Sequence, residues 1–203
     1  MAKRTGDKYL AIIDAAVRVI AKYGYHNAQV AKIAREANVA DGTIYLYFRN
    51  KDDVLISVFR EKMGEFIHAT RARLEQVPTA EGKLRELIHM HLSQLAQNWD
   101  MAVVTQIELR QSNPVVRTEI RETLKQYYRL IEDVVRQGMA EGVFRRDVDV
   151  RTIRMMIFGT LDETATSWVM KQGKFDLLAQ VDPIHRLLIS ALRKSEQREE
   201  ETA

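Results

Sequence analysis

Apolar residues recur three and four positions apart along most of the chain, the spacing that places them on one face of an α-helix. The first such stripe predicts a helix over residues 7–22 and consists of Leu10, Ile13, Ala16, Val17 and Ile20. Gly24 ends this helix, because glycine adopts the backbone conformation of a helix stop without strain. A longer stripe predicts a helix over residues 51–75, which would be roughly 35 Å long and could connect two domains.

Two short helical patterns meet at a tight corner between these two helices. The first is a stripe of about two turns formed by Val30, Ile33, Ala34 and Ala37. Asn38 ends it, because asparagine tolerates the left-handed conformation that a helix stop needs. Val39 is the apolar residue placed to fill the corner. A helix, a corner and a second helix together predict a helix-turn-helix, which inserts its second helix into a groove of DNA.

The second short helix, residues 41–48, carries a polar outer face. Ile44 and Phe48 are predicted to face the core. The outward residues permit close approach or offer hydroxyl groups to phosphates and base edges. Including residues just before and after this helix, the predicted DNA contacts are Gln29, Asp41, Gly42, Thr43, Tyr45, Tyr47 and Lys51. Lys51 lies in the first turn of the long helix, where exposed backbone N–H groups can also hold a phosphate.

Five further helices are predicted after a break at Pro78-Thr79. They cover residues 80–98, 101–111, 114–141, 149–171 and 182–194. Asn113-Pro114 and Asp182-Pro183 mark helix starts, since proline fits the first turn, and Asp149 is placed to cap its helix. With the four preceding helices, they predict an all-α fold of about nine helices.

The last two helices, residues 149–171 and 182–194, have wide apolar faces. Two helices that pair with a symmetry mate make a four-helix bundle, so these faces predict a homodimer. The other interpretation is that both faces complete the core of a single subunit. A dimer would place two recognition helices about 34–36 Å apart, one helical turn of DNA.

The amino-acid composition indicates the class of fold and the cellular compartment. At 203 residues the chain is long enough for a proper core, and sparse proline and glycine favour helices. It contains no cysteine, so neither disulfides nor thiolate metal sites are available. The N-terminus lacks the apolar core of a signal peptide, and no apolar run approaches about 20 residues. We therefore expect a cytoplasmic protein without a membrane partner.

The formal charge of +3 is unevenly distributed. Residues 1–60 carry ten Lys and Arg against six Asp and Glu, whereas the remainder carries 21 against 22. The basic excess therefore lies in the part predicted to face DNA. Lys3, Arg4 and Lys8 precede the first helix; such an arm suits a minor groove or phosphates, and equally a solvated tail.

The residues of the helix-turn-helix resemble a known family signature. The matching blocks are Gly24-Tyr25, Val30-x-x-Ile33-Ala34-x-x-Ala37-x-Val39, Gly42-Thr43-Ile44-Tyr45-x-Tyr47-Phe48 and Lys51-Asp52-Asp53-x-Leu55. Over roughly the first 60 residues the chain resembles TetR-type transcriptional repressors. The chain departs from the family at Ala28 and Ala40, where a Thr or Ser often stands near a helix N-cap, and Asp41 is a candidate cap instead.

The resemblance implies three parts: a DNA-binding domain over residues 1–50, a connecting helix over 51–75, and a ligand-binding and dimerisation domain over 76–203. The third part is rich in large and flexible apolar residues, among them several methionines, which suit an adaptable cavity and an ordinary core equally well. Gln106 and Arg110 lie four residues apart on one short helix, where either could orient a polar head group. The alternative for Arg110 is a salt bridge to Glu108, Asp162 or Glu163.

Three blocks, GYHNAQVAKIA…NVADGTIYLYF, TQIELRQSN and IFGTLDETATSWVM, more narrowly resemble bacterial fatty-acid-degradation regulators of the TetR family. These repressors release a palindromic operator on binding long-chain acyl-CoA. The resemblance implies that an acyl chain and its carrier would contact Met63, Phe66, Gln106, Leu109, Arg110, Tyr127, Phe158 and Leu161. Exposed Arg or Lys side chains would meet the CoA phosphates. No cofactor or metal is expected.

Two other functions are alternatives for this chain. A repressor of the same family could sense another apolar ligand, such as a drug or a flavonoid. An enzyme is disfavoured, because the five histidines are scattered and the chain contains no zinc-helix motif, nucleophile elbow or phosphate-binding glycine loop.

Overall fold

The computed structural model describes residues 6–110 and 112–193, and these residues form nine α-helices without a strand. An isolated bridge pairs Phe144 with Arg193. The helices are α1 Asp7–Tyr23, α2 Val30–Glu36, α3 Asp41–Tyr47, α4 Lys51–Glu75, α5 Ala80–Gln97, α6 Trp99–Val103, α7 Pro114–Ala140, α8 Val150–Met170 and α9 Val181–Leu192. The predicted all-α fold is confirmed. The basic arm at Lys3 and Arg4, the tail after Arg193, and Gln111 lie outside the described residues.

The buried face of α1 differs by one residue from the predicted stripe. Ile13, Ala16 and Ile20 are fully buried as expected, but Leu10 is 41% exposed and Tyr9 takes its place in the core. One residue along an α-helix turns a side chain by about 100°, so Tyr9 and Leu10 point in different directions. The Tyr9 ring stacks on Phe48 at 5.4 Å and also packs 6.0 Å from Tyr47, and these contacts bury it.

Several predicted helix boundaries have a side chain that caps them. Asn50, Thr79, Asn113 and Asp149 each accept a hydrogen bond from a backbone N–H in the first turn of α4, α5, α7 and α8 respectively. Asn38 has the predicted left-handed backbone, with φ 54°. The prediction that Asp41 caps α3 is wrong, because Ala40 is the N-cap and no side chain caps it. The start of α9 also differs: it begins at Val181, one residue before Asp182.

The predicted short helix over residues 101–111 is not a single α-helix. It consists of α6 followed by a π-helical turn, Val104–Glu108. The Thr105 hydroxyl donates to the carbonyls of Met101 at 2.9 Å and Ala102 at 3.2 Å. A side chain that competes for these carbonyls loosens the α-helical ladder, and the chain continues with the wider turn.

Two hydrophobic clusters divide the molecule. The N-terminal cluster is built from α1, α2, α3 and the first part of α4, and Met101, Val104, Leu109 and Val116 complete it. The C-terminal cluster joins the rest of α4 to α5, α7, α8 and α9. Met63 on α4 packs against both clusters. The long helix therefore belongs to both parts of the fold, as does the segment from α6 to the start of α7.

Candidate functional site

The second helix of the helix-turn-helix, α3, presents a largely polar outer face. Ile44 and Phe48 anchor it in the N-terminal cluster. Asp41, Gly42 and Tyr45 are exposed, and Tyr45 is 57% exposed. A Cβ added at Gly42 would meet nothing within 4 Å, so another molecule can approach the backbone closely there. This face has the shape and chemistry of a helix that reads a DNA groove.

Two of the predicted contacts are only half-exposed. Thr43 and Tyr47 are intermediate in burial, and the Tyr47 ring packs 6.0 Å from Tyr9 and 6.3 Å from Phe48. Gln29 is exposed at the N-cap of α2. Tyr47 therefore braces α3 against α1 in addition to its predicted role at a phosphate.

Sequence reasoning missed Leu46 on the same face. This leucine is 56% exposed and lies one helical turn from Gly42. An apolar side chain there can contact a thymine methyl group in the major groove. The signal in the sequence was an apolar residue outside the Ile44 and Phe48 stripe.

Lys51 is positioned by the loop that precedes α2. Its ammonium donates to the carbonyls of Tyr25 at 2.9 Å and His26 at 3.0 Å, and it lies 4.6 Å from the centre of the Tyr25 ring. The Tyr25 hydroxyl donates to Asp52 in the first turn of α4. Burial and then this hydrogen bond raise the pKa of the Tyr25 phenol, so it stays neutral. These contacts hold the cation at the N-terminus of α4, where an anion is favoured.

A cavity of about 970 Å³ lies between α4, α5, α7, α8 and the segment that contains the π-helical turn. Its apolar wall comes from Phe59, Met63, Phe66, Leu95, Met101, Leu109, Ile120, Leu124 and Phe158. Phe59, Met101 and Leu109 belong to the N-terminal cluster, whereas Phe66 and Leu95 belong to the C-terminal one. The cavity wall is therefore shared between the two clusters.

The cavity is also strongly basic. Nine Lys and Arg side chains line it, against two carboxylates. Four of the basic residues, Arg117, Arg121, Lys125 and Arg129, follow one another at four-residue steps along α7 and are exposed. The lining face of α7 runs from Arg117 to Arg136, about 28 Å. This arrangement offers a long apolar space with a cationic edge.

Six of the eight predicted ligand contacts line the cavity, namely Met63, Phe66, Gln106, Leu109, Arg110 and Phe158. Tyr127 and Leu161 do not, because both are completely buried in the C-terminal cluster. Tyr128 lines the cavity instead. On a helix the neighbouring residue points about 100° away, so Tyr127 faces α5 while Tyr128 faces the cavity.

Arg110 is held in a polar network on the cavity wall. Its Nη2 lies 2.6 Å from Asp162 Oδ2, 3.1 Å from Thr166 Oγ1 and 3.3 Å from Gln106 Oε1. Of the three candidate salt-bridge partners, the structure selects Asp162. Gln106 and Arg110 meet as the four-residue spacing predicted.

Glu108 points away from the cavity and contacts the DNA-binding part of the chain. Its carboxylate accepts a hydrogen bond from the backbone N–H of Tyr25 at 2.6 Å. Close by, the Asn113 amide donates to Asp52 at 2.8 Å. The sequence contains no signal for these pairs, which are 83 and 61 residues apart. The same Tyr25 and Asp52 position Lys51.

A buried polar pair lies at the cavity wall, where His91 is one of the lining residues. His91 Nδ1 is 2.7 Å from the Tyr127 hydroxyl. Burial lowers the pKa of His91 to about 4 and raises the pKa of Tyr127, so both are neutral near pH 7. Phe66 meets both rings, at 6.2 Å from His91 and 5.3 Å from Tyr127.

Within residues 6–110 and 112–193, no group of His, Cys, Asp and Glu side chains is arranged to hold a metal ion. In the same part of the chain, no helix combines the length and the apolar character needed to span a bilayer.

Comparisons with known proteins agree with this geometry. Residues 12–58 match the family described as bacterial regulatory proteins, tetR family, and residues 59–191 match the YsiA-like protein C-terminal region. The fatty acid metabolism regulator protein of Bacillus subtilis is 50% identical over 190 residues, which cover 94% of this chain and 98% of that protein.

Solved structures extend the likeness to the fold. The crystal structure of the transcriptional regulator FadR from Bacillus subtilis in complex with stearoyl-CoA superposes with a TM-score of 0.88 at 50% identity, covering 91% of this chain and all of that one. The fatty acid degradation regulator FadR from Bacillus halodurans gives 0.87 at 54% identity, with the same coverage. The chain therefore belongs to the TetR family of bacterial transcriptional regulators and is similar to its FadR members.

Proposed function

We propose that this protein is a homodimeric repressor of fatty-acid-degradation genes that binds a palindromic operator and leaves it when long-chain acyl-CoA fills the cavity. The observation that carries this proposal is the combination of a long apolar wall with nine basic side chains around one cavity. An acyl-CoA has the matching chemistry, since a hydrocarbon chain is attached to a carrier that bears several phosphates. The Bacillus subtilis relative has been crystallised with stearoyl-CoA.

The size of the cavity suits such a ligand. At about 970 Å³ it lies at the upper end of ordinary small-molecule sites. Burying each methylene of an acyl chain contributes about 0.8 kcal/mol, so a chain of 12 to 16 carbons outweighs the cost of ordering it. The cationic edge on α7 attracts phosphates and raises the rate of encounter. A neutral flavonoid would leave that edge unpaired, which favours the acyl-CoA over the alternative ligand.

The dimer would form through α8 and α9. Met155, Met156 and Met170 on α8 and Leu187 on α9 are exposed, and Leu187 is 72% exposed. A Cβ at Gly159 would meet nothing within 4 Å, so a partner helix can come close there. Exposed apolar side chains on two neighbouring helices fit the four-helix interface that a symmetric dimer needs.

Release of DNA follows from the shared wall. A ligand that fills the cavity contacts Phe59, Met101 and Leu109, which complete the N-terminal cluster. It also adjoins the segment whose Glu108 holds Tyr25. A ligand shifts an equilibrium only by its differential affinity, so acyl-CoA must bind the arrangement with misplaced recognition helices more tightly. DNA must then weaken acyl-CoA binding by the same factor.

The test starts with double-stranded DNA selected from a random pool by the purified protein. We expect a palindrome, bound by a dimer in sedimentation experiments. Palmitoyl-CoA should weaken binding to this DNA in fluorescence anisotropy, and CoA alone should not. Operator affinity that is unchanged at saturating palmitoyl-CoA would reject the effector, and failure to select any palindrome would reject the repressor.

A further inference from the structure

The carboxamide of Gln106 has a defined orientation on the cavity wall. Gln106 is only 6% exposed and lines the cavity from the π-helical turn. One end of the amide faces Arg110 Nη2 at 3.3 Å and Thr166 Oγ1 at 2.9 Å. A guanidinium is only a donor of hydrogen bonds, so the atom facing it must be the amide oxygen. The amide NH₂ is therefore turned to the other side.

That NH₂ group has no hydrogen-bond partner among the described residues, since both bonds of Gln106 are made by its oxygen. Among the described residues, four side-chain atoms are shielded from solvent and also lack a hydrogen-bond partner. They are Thr70 Oγ1, His89 Nδ1, His91 Nε2 and Arg154 Nε. The amide nitrogen of Gln106 is not one of them, so it lies open to the cavity. A largely buried donor open to a cavity favours a ligand that supplies an acceptor.

The position of Gln106 indicates which acceptor fits. Arg110, four residues further along the same segment, has a half-exposed side chain that is paired with Asp162. The apolar residues Met101 and Leu109 of this segment also line the cavity. Gln106 therefore lies in a part of the wall that contains both charged and apolar side chains. In an acyl thioester, the carbonyl group occupies a matching position, between the phosphate-bearing carrier and the hydrocarbon chain.

We propose that the Gln106 amide donates a hydrogen bond to the thioester carbonyl oxygen of the bound acyl-CoA and thereby distinguishes an acyl thioester from an alkyl chain without a carbonyl. This inference rests on the proposed function. Arg110 and Thr166 act as positioning residues, because they fix the amide oxygen and so direct the nitrogen into the cavity. Asp162 holds Arg110 in place.

The experiment compares palmitoyl-CoA with S-hexadecyl-CoA, a thioether that has the same chain length but no carbonyl. Binding to the full-length protein is measured by calorimetry. A single neutral hydrogen bond corresponds to about a two- to tenfold preference, so wild type should bind the thioester that much more tightly. Palmitate is the third ligand, and it separates recognition of the thioester from recognition of any carbonyl oxygen.

Two variants test the donor. Gln106→Glu keeps an oxygen facing Arg110 and Thr166 but puts a second oxygen where the donor was, so it should abolish or invert the preference. Gln106→Leu should remove the preference and leave thioether affinity within about twofold, because only the carbonyl contact is lost. Gln126→Leu on the exposed side of α7 is the matched control and should keep the wild-type preference.

Infrared spectroscopy detects the carbonyl contact in wild type directly, and the Gln106→Glu variant serves as a comparison. With ¹³C at the carbonyl carbon of palmitoyl-CoA, the carbonyl band should shift to lower frequency on binding to wild type, and the shift should be absent in Gln106→Glu. Equal affinity of wild type for thioester and thioether, or an unshifted band, would overturn the proposal for Gln106. Failure of wild type to bind either ligand would instead overturn the proposed function.

Discussion

The two hydrophobic clusters have similar ingredients but different interiors. In the N-terminal cluster the helices close on large side chains that are completely buried, including Ile12, Ile13, Ile33 and Phe48. The C-terminal cluster also has such residues, but its helices α4, α5, α7 and α8 stand apart around most of a cavity of about 970 Å³, to whose wall the N-terminal cluster contributes three side chains. A close-packed core moves as one body, whereas a hollow one can change shape when it is filled. This difference distinguishes a rigid N-terminal cluster, which carries the helix-turn-helix, from a C-terminal cluster that can change shape when a ligand binds.

Truncating Phe48 should have the largest effect. Phe48→Ala removes a completely buried ring from the closed cluster and should lower the free energy of unfolding by about 3–5 kcal/mol. Phe158→Ala enlarges an existing cavity at a half-buried position, and we expect a loss of about 1–2 kcal/mol. Urea denaturation measures both. Equal losses would mean that the two interiors are packed alike.

Acid should destabilise the hollow part through His91. Burial lowers the pKa of His91 to about 4 from the ordinary 6.5, so the unfolded chain takes up its proton first as the pH falls. Stability is unaffected by this group above pH 6.5 and declines between pH 6.5 and 4, by at most about 3 kcal/mol.

The effect of His91 is tested by measuring the free energy of unfolding against pH for wild type and two variants. His91→Phe should flatten the decline between pH 6.5 and 4, although it leaves the Tyr127 hydroxyl unpaired and lowers stability at every pH. His68→Phe changes an exposed histidine on α4 and should keep the wild-type slope. Parallel curves for wild type and His91→Phe would contradict the buried neutral imidazole.

Glu108→Gln should weaken the connection between the two clusters. The substitution replaces a charge-assisted hydrogen bond to the Tyr25 N–H with a neutral one, a difference of about 1 kcal/mol. We expect palmitoyl-CoA to bind normally but to reduce operator affinity about fivefold less than in wild type.

The matched control for the Glu108→Gln substitution is Glu86→Gln. Glu86 pairs with Arg73 at 2.9 Å inside the C-terminal part of the fold and does not reach the N-terminal cluster. Anisotropy titrations with and without palmitoyl-CoA measure the coupling in each variant. An unchanged ligand effect in Glu108→Gln would show that coupling passes through the packing around Met63 rather than through this contact.

The smallest effect is expected at the cationic edge. Arg121→Ala should lower palmitoyl-CoA affinity about two- to threefold, because an exposed charge contributes little in water. The loss should shrink as salt rises, since salt screens exposed charges. Arg71→Ala, exposed on α4 and outside the cavity, should leave affinity unchanged. A loss independent of salt would indicate a different role for Arg121.

The sequence was most informative where structure is local. Asn50, Thr79, Asn113 and Asp149 each bond a backbone N–H two or three residues away, so a short stretch of sequence contains the whole interaction. The prediction for Leu10 was wrong, because Tyr9 and Leu10 both suit the helix and the contacts that bury Tyr9 come from residues distant in the sequence, among them Phe48. The π-helical turn was also missed, since periodicity alone does not reveal its extra residue.

What the sequence by itself determined is the helical fold, the helix-turn-helix and most of the helix boundaries, because each depends on periodicity, capping or a motif of fixed spacing. Only the tertiary structure decided that Tyr128 rather than Tyr127 lines the cavity, that Asp162 is the partner of Arg110, and that Glu108 reaches Tyr25. These contacts join residues 52 and 83 positions apart or depend on how a helix is rotated against its neighbours. Such geometry is set by the packing of the whole chain, which no local pattern records.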